Sequence, residues 1–264
     1  MSLDLTPTPA AYVDIGDNLP FCQNQPAATV MGWVELDGIG VVAFLSLSIN
    51  NGGAGSNSSR IAFELNGSAE IFLYGRATDG GAASQLDTAG LFSLSAGVKH
   101  HLAAVVDIAN DFMAIYVDGV LIKSSTPSFA PTTFPNTTTD SNAFGATDLG
   151  DARFPNGRMA DWRLYHRTLD AKEIASIHGS CGLDTIRDTM HFRYLFDDPN
   201  PGPETLGTAA AANEIGTEAF DRIGIAGAGI VCEVSDQKYV STGMEAGGTL
   251  DFAPKLTRSL RRPA

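Results

Sequence analysis

The chain has 264 residues, of which 44% are hydrophobic and 18% charged, with 28 glycines and a formal net charge of −13 at pH 7. This acidic charge argues against a protein that wraps nucleic acid, which needs a basic face, and against one that binds an anionic membrane surface. The few charged residues and many glycines favour short strands and turns over long helices, in one large all-β domain or a domain with an appendage.

Residues 1–20 predict an extended lead-in that prolines interrupt. This segment has neither a basic nor an apolar stretch, so it lacks the pattern of a signal peptide. No apolar run approaches the length of about 18 residues that a membrane span needs. We therefore expect a protein that stays in the cell that makes it or leaves without a signal, with a removed signal sequence as a third alternative.

The three cysteines, Cys22, Cys181 and Cys232, include no pair at the spacing of a zinc site. Cys22 and Cys181 fall near the two ends of the best-patterned region, so a disulfide could close it. Because the chain lacks a signal peptide pattern, buried thiols are the better interpretation.

A series of short segments with strand character begins near residue 27. Several alternate apolar and polar residues, as half-buried antiparallel strands do, and turn clusters separate them. Within "AIYVDGVLI" (114–122), Asp118-Gly119 is typical of a two-residue hairpin turn, because both turn positions require a positive φ angle. The predicted strands are 27–36, 40–49, 59–67, 69–77, 90–96, 99–109, 111–119 and 120–125.

A loop rich in proline and threonine is predicted over residues 126–142, and a further strand over 156–169. Because side chains alternate along a strand, its residues divide between two faces. We expect Met159, Asp161 and Arg163 on one face, and Trp162, Leu164 and His166 on the other.

A short helix is predicted over residues 169–179. Asp170 is a suitable capping residue, Glu173 follows at the third position, and Gly179 ends the segment. Beyond Cys181 the pattern weakens, although residues 189–198 could form one more strand. The last ten residues, 255–264, carry four basic residues and no acidic one.

Three segments together resemble a known family in the order of its motifs. They are "TVMGWVEL" (29–36), "LSAGVKHHLAAVVDIANDFMAIYVDGVLI" (94–122) and "FPNGRMADWRLYHRTLDAKEIASIH" (154–178). They are similar to the opening strand, the central hairpin and the closing signature of the laminin-G-like, concanavalin-A-like jelly roll. The resemblance implies an all-β fold, a two-sheet antiparallel jelly-roll sandwich with one short helix. The predicted domains are an extended lead-in (1–20), the laminin-G-like domain (21–180), and a loosely structured C-terminal arm with one or two strands and a basic tail (181–264).

Glycoside hydrolases that share this architecture use closely spaced carboxylates in a Glu-x-Asp-x-x-Glu arrangement. The chain has no such run, and Asn66-Gly67 separates Glu64 from Glu70, which puts these two on different strands. The side chains of His100 and His101 point to opposite faces of a strand, so inward packing of one is a better interpretation than catalysis. The sequence therefore predicts a non-catalytic module.

The resemblance also implies a candidate metal, because several members of the family bind one Ca²⁺ at the rim of the sandwich. By residue type the candidate ligands are Asp148 and Asp151, and secondarily Asp79 and Asp87. Hard oxygen ligands on glycine-rich loops suit Ca²⁺, but their spacing does not require it, and solvated loop acids are the alternative. Ca²⁺ is thus the one cofactor that the sequence suggests.

Carbohydrate sites use exposed aromatic rings, and Tyr74, Phe129 and Phe134 are the candidates for ligand binding. The two tryptophans, Trp33 and Trp162, fall at core positions of the family. Phe129 and Phe134 lie in the Pro/Thr-rich loop, so packing of that loop is the alternative explanation.

The resemblance extends to tailed bacteriophages, whose capsid decoration and tail accessory proteins include laminin-G-like domains. With the acidic body, the basic tail and the missing signal, it predicts a non-catalytic structural or adhesive module of a virion, assembled in the host cytoplasm. Such a module would contact other virion or self subunits through its terminal extensions and could adhere to glycans. The alternative is a lectin-like carbohydrate-binding module of a bacterial protein, and a glycosidase without the usual carboxylates is a third reading. No nucleic-acid or membrane partner is expected.

Overall fold

Two antiparallel β-sheets pack face to face in the computed structural model, with one short helix against them. The structure describes residues 3–4, 13–14, 22–50, 60–77, 83–130, 132–134, 140–145, 157–180, 184–194, 232–234 and 237–239. The elements are β1 (Leu3–Asp4), β2 (Val13–Asp14), β3 (Ala27–Leu36), β4 (Val42–Asn50), β5 (Ile61–Leu65), β6 (Ile71–Gly75), β7 (Ser84–Asp87), β8 (Lys99–Asp107), β9 (Phe112–Val117), β10 (Val120–Ser125), β11 (Asp140–Phe144), β12 (Gly157–Tyr165), α1 (Ala171–Ser180), β13 (Met190–Tyr194), β14 (Cys232–Val234) and β15 (Gln237–Tyr239). The predicted fold class, an all-β two-sheet jelly roll, is confirmed.

The two sheets have different strand orders. The seven-stranded sheet runs β1-β12-β3-β8-β9-β10, with β13 also paired to β12, and the six-stranded sheet runs β2-β11-β4-β5-β6-β7. The short strands β1 and β2 pair with β12 and β11, so the N-terminal residues reach an edge of each sheet. Strands β14 and β15 pair only with each other in the described part of the chain. No helix among the described residues has the length and apolar character that a membrane span requires.

Trp162 lies at the centre of the core between the sheets and is fully buried. The rings of Phe44, Phe63 and Phe144 surround it, with centroids at 6.3, 6.3 and 5.7 Å. Gly32 lies directly against this indole, since a Cβ atom at that position would stand 2.4 Å from the Trp162 ring. The tryptophan therefore fills space that only a glycine on β3 leaves open.

A second hydrophobic cluster lies on the opposite face of the seven-stranded sheet, where α1 covers it. Ile174 and Ile177 of the helix pack against Met31, Tyr116 and other residues of β3, β8, β9 and β12. The helix begins as predicted, because Asp170 Oδ1 accepts hydrogen bonds from the amides of residues 172 and 173, while Glu173 Oε2 accepts one from the Asp170 amide. The helix ends at Ser180, one residue beyond the predicted Gly179.

The hairpin between β9 and β10 has the predicted two-residue turn. Asp118 and Gly119 have φ angles of 49° and 78°, as the Asp-Gly pattern requires. Asp118 also accepts hydrogen bonds from the His101 amide and from the ring of His100, so the turn is tied to the start of β8.

The predicted strand over residues 90–96 is wrong, and the edge strand is β7, residues 84–87. The amides of Leu91 and Phe92 both donate to the carbonyl of Thr88, which closes a turn instead of extending the chain. The Thr88 hydroxyl holds this turn, because it accepts from the Ile71 amide and donates to the Phe92 carbonyl. The alternation of Phe92 and Leu94 with serines resembled a strand, but the preceding Leu91 is 61% exposed and lies in the turn.

The predicted division of β12 into two faces is wrong for Met159. The register with β3 shifts between Ala160 and Arg163, and Asp161 has a φ of 49°, so a bulge inserts a residue here. Met159 therefore joins Trp162 and Leu164 in the core between the sheets.

A buried ion-pair network begins at this bulge. Asp161 pairs with Arg163 at 2.7 Å and with Arg193 at 2.6 Å, and Arg163 also pairs with Asp184 at 2.8 Å. Although burial alone would raise it, the charges and hydrogen bonds of the two arginines hold the pKa of Asp161 well below its usual value. The network joins β12 to β13 and to the segment after α1, so pairing continues past residue 180, the end of the predicted domain.

Candidate functional site

The outer face of the six-stranded sheet, the side turned away from the core, carries the described group of side chains best suited to bind a ligand. On β5 the residues Ile61, Phe63 and Leu65 point into the core, so the positions between them point outward. The same alternation holds on β6, where Ile71 and Leu73 point inward. The outer face therefore presents Arg60, Ala62 and Glu64 beside Arg76, Tyr74 and Phe72, with Ser46 on β4 and Gln85 and Asp87 on β7.

Two arginines face each other at one end of this face, and we call Arg60 and Arg76 the arginine pair. The Arg76 amide donates to the Arg60 carbonyl at 2.9 Å, which puts the two residues directly opposite on neighbouring strands. Arg60 is 0% and Arg76 8% exposed. Burial, and next the charge of Arg60, lower the pKa of Arg76. The face thus holds two like charges away from water.

An aromatic pair occupies the next positions along β6. Phe72 and Tyr74 stack with ring centroids 6.1 Å apart and planes 25° from parallel, and both are half-buried. Gln85 lies opposite Tyr74 on β7 and is exposed. The aromatic pair therefore offers a partly hydrated apolar surface with an amide beside it.

Two carboxylates flank Phe72, Glu64 on β5 and Asp87 on β7. Lys123 Nζ lies 3.1 Å from Asp87 Oδ1, and this hydrogen bond is the main cause that lowers the pKa of Asp87. Asp87 also accepts from the Ala89 amide. Asp87 is thus occupied by protein partners, which fits a Ca²⁺ ligand poorly.

The predicted calcium ligands Asp148 and Asp151, and Asp79, lie outside the described residues. Within the described ranges, no group of three or more His, Cys, Asp or Glu side chains could hold a metal ion. Calcium at the rim therefore stays a prediction, and no step of the function proposed below depends on it. Cys22 is a buried thiol, whereas Cys181 also lies outside the described residues.

The three predicted ligand-binding aromatics have different positions. Tyr74 lies on the outer face. Phe129 packs against the core, with its Cζ 3.2 Å from the position a Cβ atom on Gly75 would take, and its amide donates to Asp111. Phe134 is 0% exposed within the core. Phe129 and Phe134 therefore pack their loop against the core. Of the three aromatic residues, Tyr74 alone has a ring that a ligand could reach without repacking.

His101 is buried, as expected for one member of the histidine pair. Its ring packs on Trp33 at 5.1 Å and on His178 of α1 at 5.8 Å. Burial, and next the charge of His178, lower the pKa of His101 to about 3. A neutral imidazole beneath a helix is a packing residue and has no route to a substrate.

Sequence reasoning missed the arginine pair, although the signal was present. In "RIAFEL" (60–65) and "IFLYGR" (71–76), a period of two puts each arginine on the polar side of its strand. What the sequence could not supply was the register that puts Arg60 opposite Arg76.

Comparisons with known proteins agree with this fold. The model of the concanavalin A-like lectin/glucanases superfamily matches residues 8–175. No curated protein matches the chain. A candidate carbohydrate-binding protein from Bacteroides ovatus is 13% identical over 74% of this chain and 52% of its own, with a TM-score of 0.52. A structure of NanB with Optactamide is 19% identical over 75% of this chain and 29% of its own, with a TM-score of 0.54.

A shorter structure is also similar. The CBM40 of the Ruminococcus gnavus IT-sialidase, bound to α2,3-sialyllactose, is 15% identical over 64% of this chain and 96% of its own, with a TM-score of 0.48. At these identities the solved structures show the fold alone. The family match spans more than half of the sequence, and with the two-sheet jelly roll it shows that the chain belongs to the concanavalin A-like lectin/glucanase superfamily.

Proposed function

We propose that this protein binds carbohydrate through the outer face of its six-stranded sheet. The observation that carries the proposal is the stacked pair of Phe72 and Tyr74, half-buried on an otherwise polar strand surface. An aromatic ring offers a sugar a flat apolar face, and neighbouring amide and charged groups supply hydrogen bonds to the hydroxyls. Gln85 lies opposite Tyr74 and is exposed, so its amide is the candidate for such a hydrogen bond, whereas Glu64, opposite Phe72, is buried.

Membership of a superfamily that includes lectins supports this function. The Bacteroides ovatus structure, which shares the fold, is described as a candidate carbohydrate-binding protein. The lectin-like alternative from the sequence is therefore better supported than the virion role. Action on a virus particle, through contacts of residues 1–20 and 181–264, stays a prediction. In the described residues, β1 and β2 of the lead-in pair with this chain's own sheets.

We propose that binding occurs without catalysis. Glu64 and Asp87 are the carboxylates beside the aromatic pair, and glycoside hydrolysis needs one of them to act as an acid with a raised pKa. The hydrogen bond from Lys123 instead lowers the pKa of Asp87. Glu70 is engaged elsewhere, since Asn66 Nδ2 donates to its carboxylate at 2.7 Å.

A glycan array probed with the full chain and with the Tyr74→Ala variant tests the proposed face. We expect the parent protein to bind a defined set of glycans, and Tyr74→Ala to lose about tenfold or more in affinity because a stacked ring is removed. Phe112→Ala is the matched control, since Phe112 is also half-buried but packs against the cluster beneath α1. Equal binding by Tyr74→Ala and the parent would sink the proposal. Loss of binding in a chelator would move the site to a calcium rim.

A further inference from the structure

The two lateral sides of the sandwich are closed differently. On one side, β1 and β13 pair with β12, and β2 pairs with β11. On the other side, the six-residue strand β10 pairs with β9 alone in the described part of the chain, and β7 beside it has only four residues. Among these described residues, no further backbone hydrogen bond closes the outer edge of β10, so this edge is open to another strand.

The open edge also carries two exposed apolar side chains. Val120 is 63% and Leu121 46% exposed. Leu121 lies opposite Tyr116, which belongs to the cluster beneath α1, so Leu121 lies on the outer face of the seven-stranded sheet. Exposed apolar side chains next to an unpaired strand edge are the two features that strand addition uses.

We propose that β10 pairs with β10 of a second copy of this chain, antiparallel about a twofold axis. The two seven-stranded sheets then join into one continuous sheet. Main-chain hydrogen bonds hold such an added strand, and the side chains decide its register. The twofold axis makes both copies contribute the same residues to the interface.

The pleat of the strands restricts the register of this pair. Residues directly opposite in antiparallel strands point to the same face, and neighbours along a strand point to opposite faces, so one residue must face its own copy at the axis. Lys123 at the axis would put like charges opposite each other, which destabilises a sheet. Ile122 packs against its own core, and the ladder with β9 shifts at this residue. Leu121 is therefore the residue at the axis, with Val120 opposite Ile122 of the second copy.

Charge complementarity selects a second copy of this chain as the added strand. In the register centred on Leu121, Lys123 lies opposite Gly119 of the second copy and next to the acidic Asp118 of that turn. Lys123 contacts Asp87 of its own chain but its side chain is still 35% exposed, so it can approach both acids. The twofold axis repeats this pairing at both ends of the joined segment. At surfaces without such pairs, the net charge of −13 repels a second copy.

The pairing has a consequence for carbohydrate binding, and this step rests on the proposed function. Because the axis is perpendicular to the joined sheet, the two six-stranded sheets lie on the same side of it. Their outer faces, each with Phe72 and Tyr74, therefore point in the same direction. Two such faces that engage one glycan-coated surface bind it more tightly than a single face does.

Sedimentation velocity of the full chain over about a hundredfold range of concentration tests the pairing. We expect a reversible monomer–dimer equilibrium. Leu121→Lys should weaken association about tenfold or more, because two leucines leave the interface and two lysines face each other at the axis. Val41→Lys is the matched control, since Val41 is 53% exposed but precedes β4, a strand inside its sheet. A monomer at every concentration, or equal weakening by both variants, would overturn the pairing.

A cysteine at the axis tests the register. Leu121→Cys should form a disulfide between two copies when oxidised glutathione accepts the two electrons, because residues that face each other across antiparallel strands have Cβ atoms about 4.5–5.5 Å apart. A non-reducing gel detects the linked dimer, and the parent chain gives the background from the natural cysteines. Val41→Cys is the control. Linked dimer at the background level in Leu121→Cys, or as much of it in Val41→Cys, would refute this register.

The pairing and the carbohydrate face fail in different ways. Parent and Leu121→Lys are compared on a sensor coated with mucin, which presents many glycans densely, and on oligosaccharides released from the same mucin. We expect the variant to lose about tenfold or more in affinity for the coated sensor and to keep its affinity for the free sugars. Equal affinity of both proteins for the sensor would remove the role of the pair in binding. If neither protein binds, the carbohydrate face is refuted for these glycans, while sedimentation and the disulfide still decide the pairing.

Discussion

His101 is buried between the seven-stranded sheet and α1, and its pKa is lowered from 6.5 to about 3 by burial and the charge of His178. The unfolded chain takes up this proton near pH 6.5 and the folded chain does not. Each pH unit below about 6.5 therefore removes about 1.4 kcal/mol of stability. Burial, and next the charge of His166, lower the pKa of His191 to about 4. His191 therefore also takes up a proton on unfolding, and its effect on stability has the same direction. We expect the free energy of unfolding in urea to fall steeply from about pH 6.5 to 4.5.

Phenylalanine substitutions separate the two histidines. His101→Phe keeps an aromatic ring but cannot take up a proton, so the slope of stability against pH should fall by about one proton over the same window. His191→Phe is the matched variant, and it removes the proton that His191 takes up on unfolding. Carboxylates whose pKa is lowered in the folded state, such as Asp161, add to the slope toward the lower end of this window, because their ordinary pKa values lie near 4, and both variants leave this contribution unchanged. An unchanged slope in His101→Phe would mean that the folded state does protonate this imidazole.

Asp161 combines a strained backbone with a buried charge, and one substitution tests the charge alone. Asparagine tolerates the φ of 49° at this bulge but cannot pair with Arg163 and Arg193. Asp161→Asn should cost about 3–5 kcal/mol, since it removes the buried carboxylate that both arginines contact, while Asp184 still pairs with Arg163. Asp111→Asn is the control, because Asp111 has a φ of 52° and is exposed. Equal denaturation midpoints for the two variants would contradict the pairing.

At the scale of the elements, three glycines separate backbone strain from steric contact. Gly67 has an ordinary φ and open space for a Cβ atom, Gly90 has a φ of 70° and open space, and Gly119 has a φ of 78° with the Ala175 Cα at 3.0 Å. Replacement by alanine should therefore be near neutral at Gly67, cost about 1–2 kcal/mol at Gly90, and cost more at Gly119. Thermal unfolding ranks the three. A Gly119→Ala variant that loses no more stability than Gly90→Ala would mean that α1 does not pack on the hairpin.

Elements whose local signals agree were predictable from the sequence. Strand β3 was expected with its observed bounds and the Asp118-Gly119 turn at its observed position, because strand pattern and turn chemistry indicate the same structure. The turn over residues 90–96 was not predictable from strand pattern, because it depends on hydrogen bonds of the Thr88 hydroxyl to Ile71 and Phe92. The bulge at Asp161 was missed because alternation assumes one residue per position, and only the pairing with β3 shows the extra residue.

The candidate site was predictable only in part for the same reason. Tyr74 could be chosen by residue type, but its cross-strand neighbours are Ala62 on β5 and Gln85 on β7, which are distant from it in the sequence. Cross-strand register assembles these residues into one face, and single-strand periodicity carries no register. Phe134 satisfied the same residue-type criterion and is a core residue, because burial of a loop aromatic depends on what the loop covers.

At the scale of the molecule, the described sandwich extends beyond the family motif. Strand β13 pairs with β12 at Trp162 and Leu164, and Asp184 and Arg193 complete the ion pairs of Arg163 and Asp161. Residues in the arm predicted to be loosely structured therefore supply part of the core. The jelly roll should unfold together with β13 as one cooperative unit.

Phe192 tests that cooperativity, because it lies in β13, is 1% exposed and belongs to the same core as Phe44. Phe192→Ala in the full chain should cost about 3–5 kcal/mol, close to the cost of Phe44→Ala, since each removes a buried aromatic ring. Leu121→Ala is the control, because Leu121 is 46% exposed and should change stability by less than about 1 kcal/mol. Urea unfolding followed by tryptophan fluorescence and circular dichroism should give coincident transitions in every variant. A Phe192→Ala variant as stable as the control would place β13 outside the cooperative unit and leave the domain boundary near residue 180.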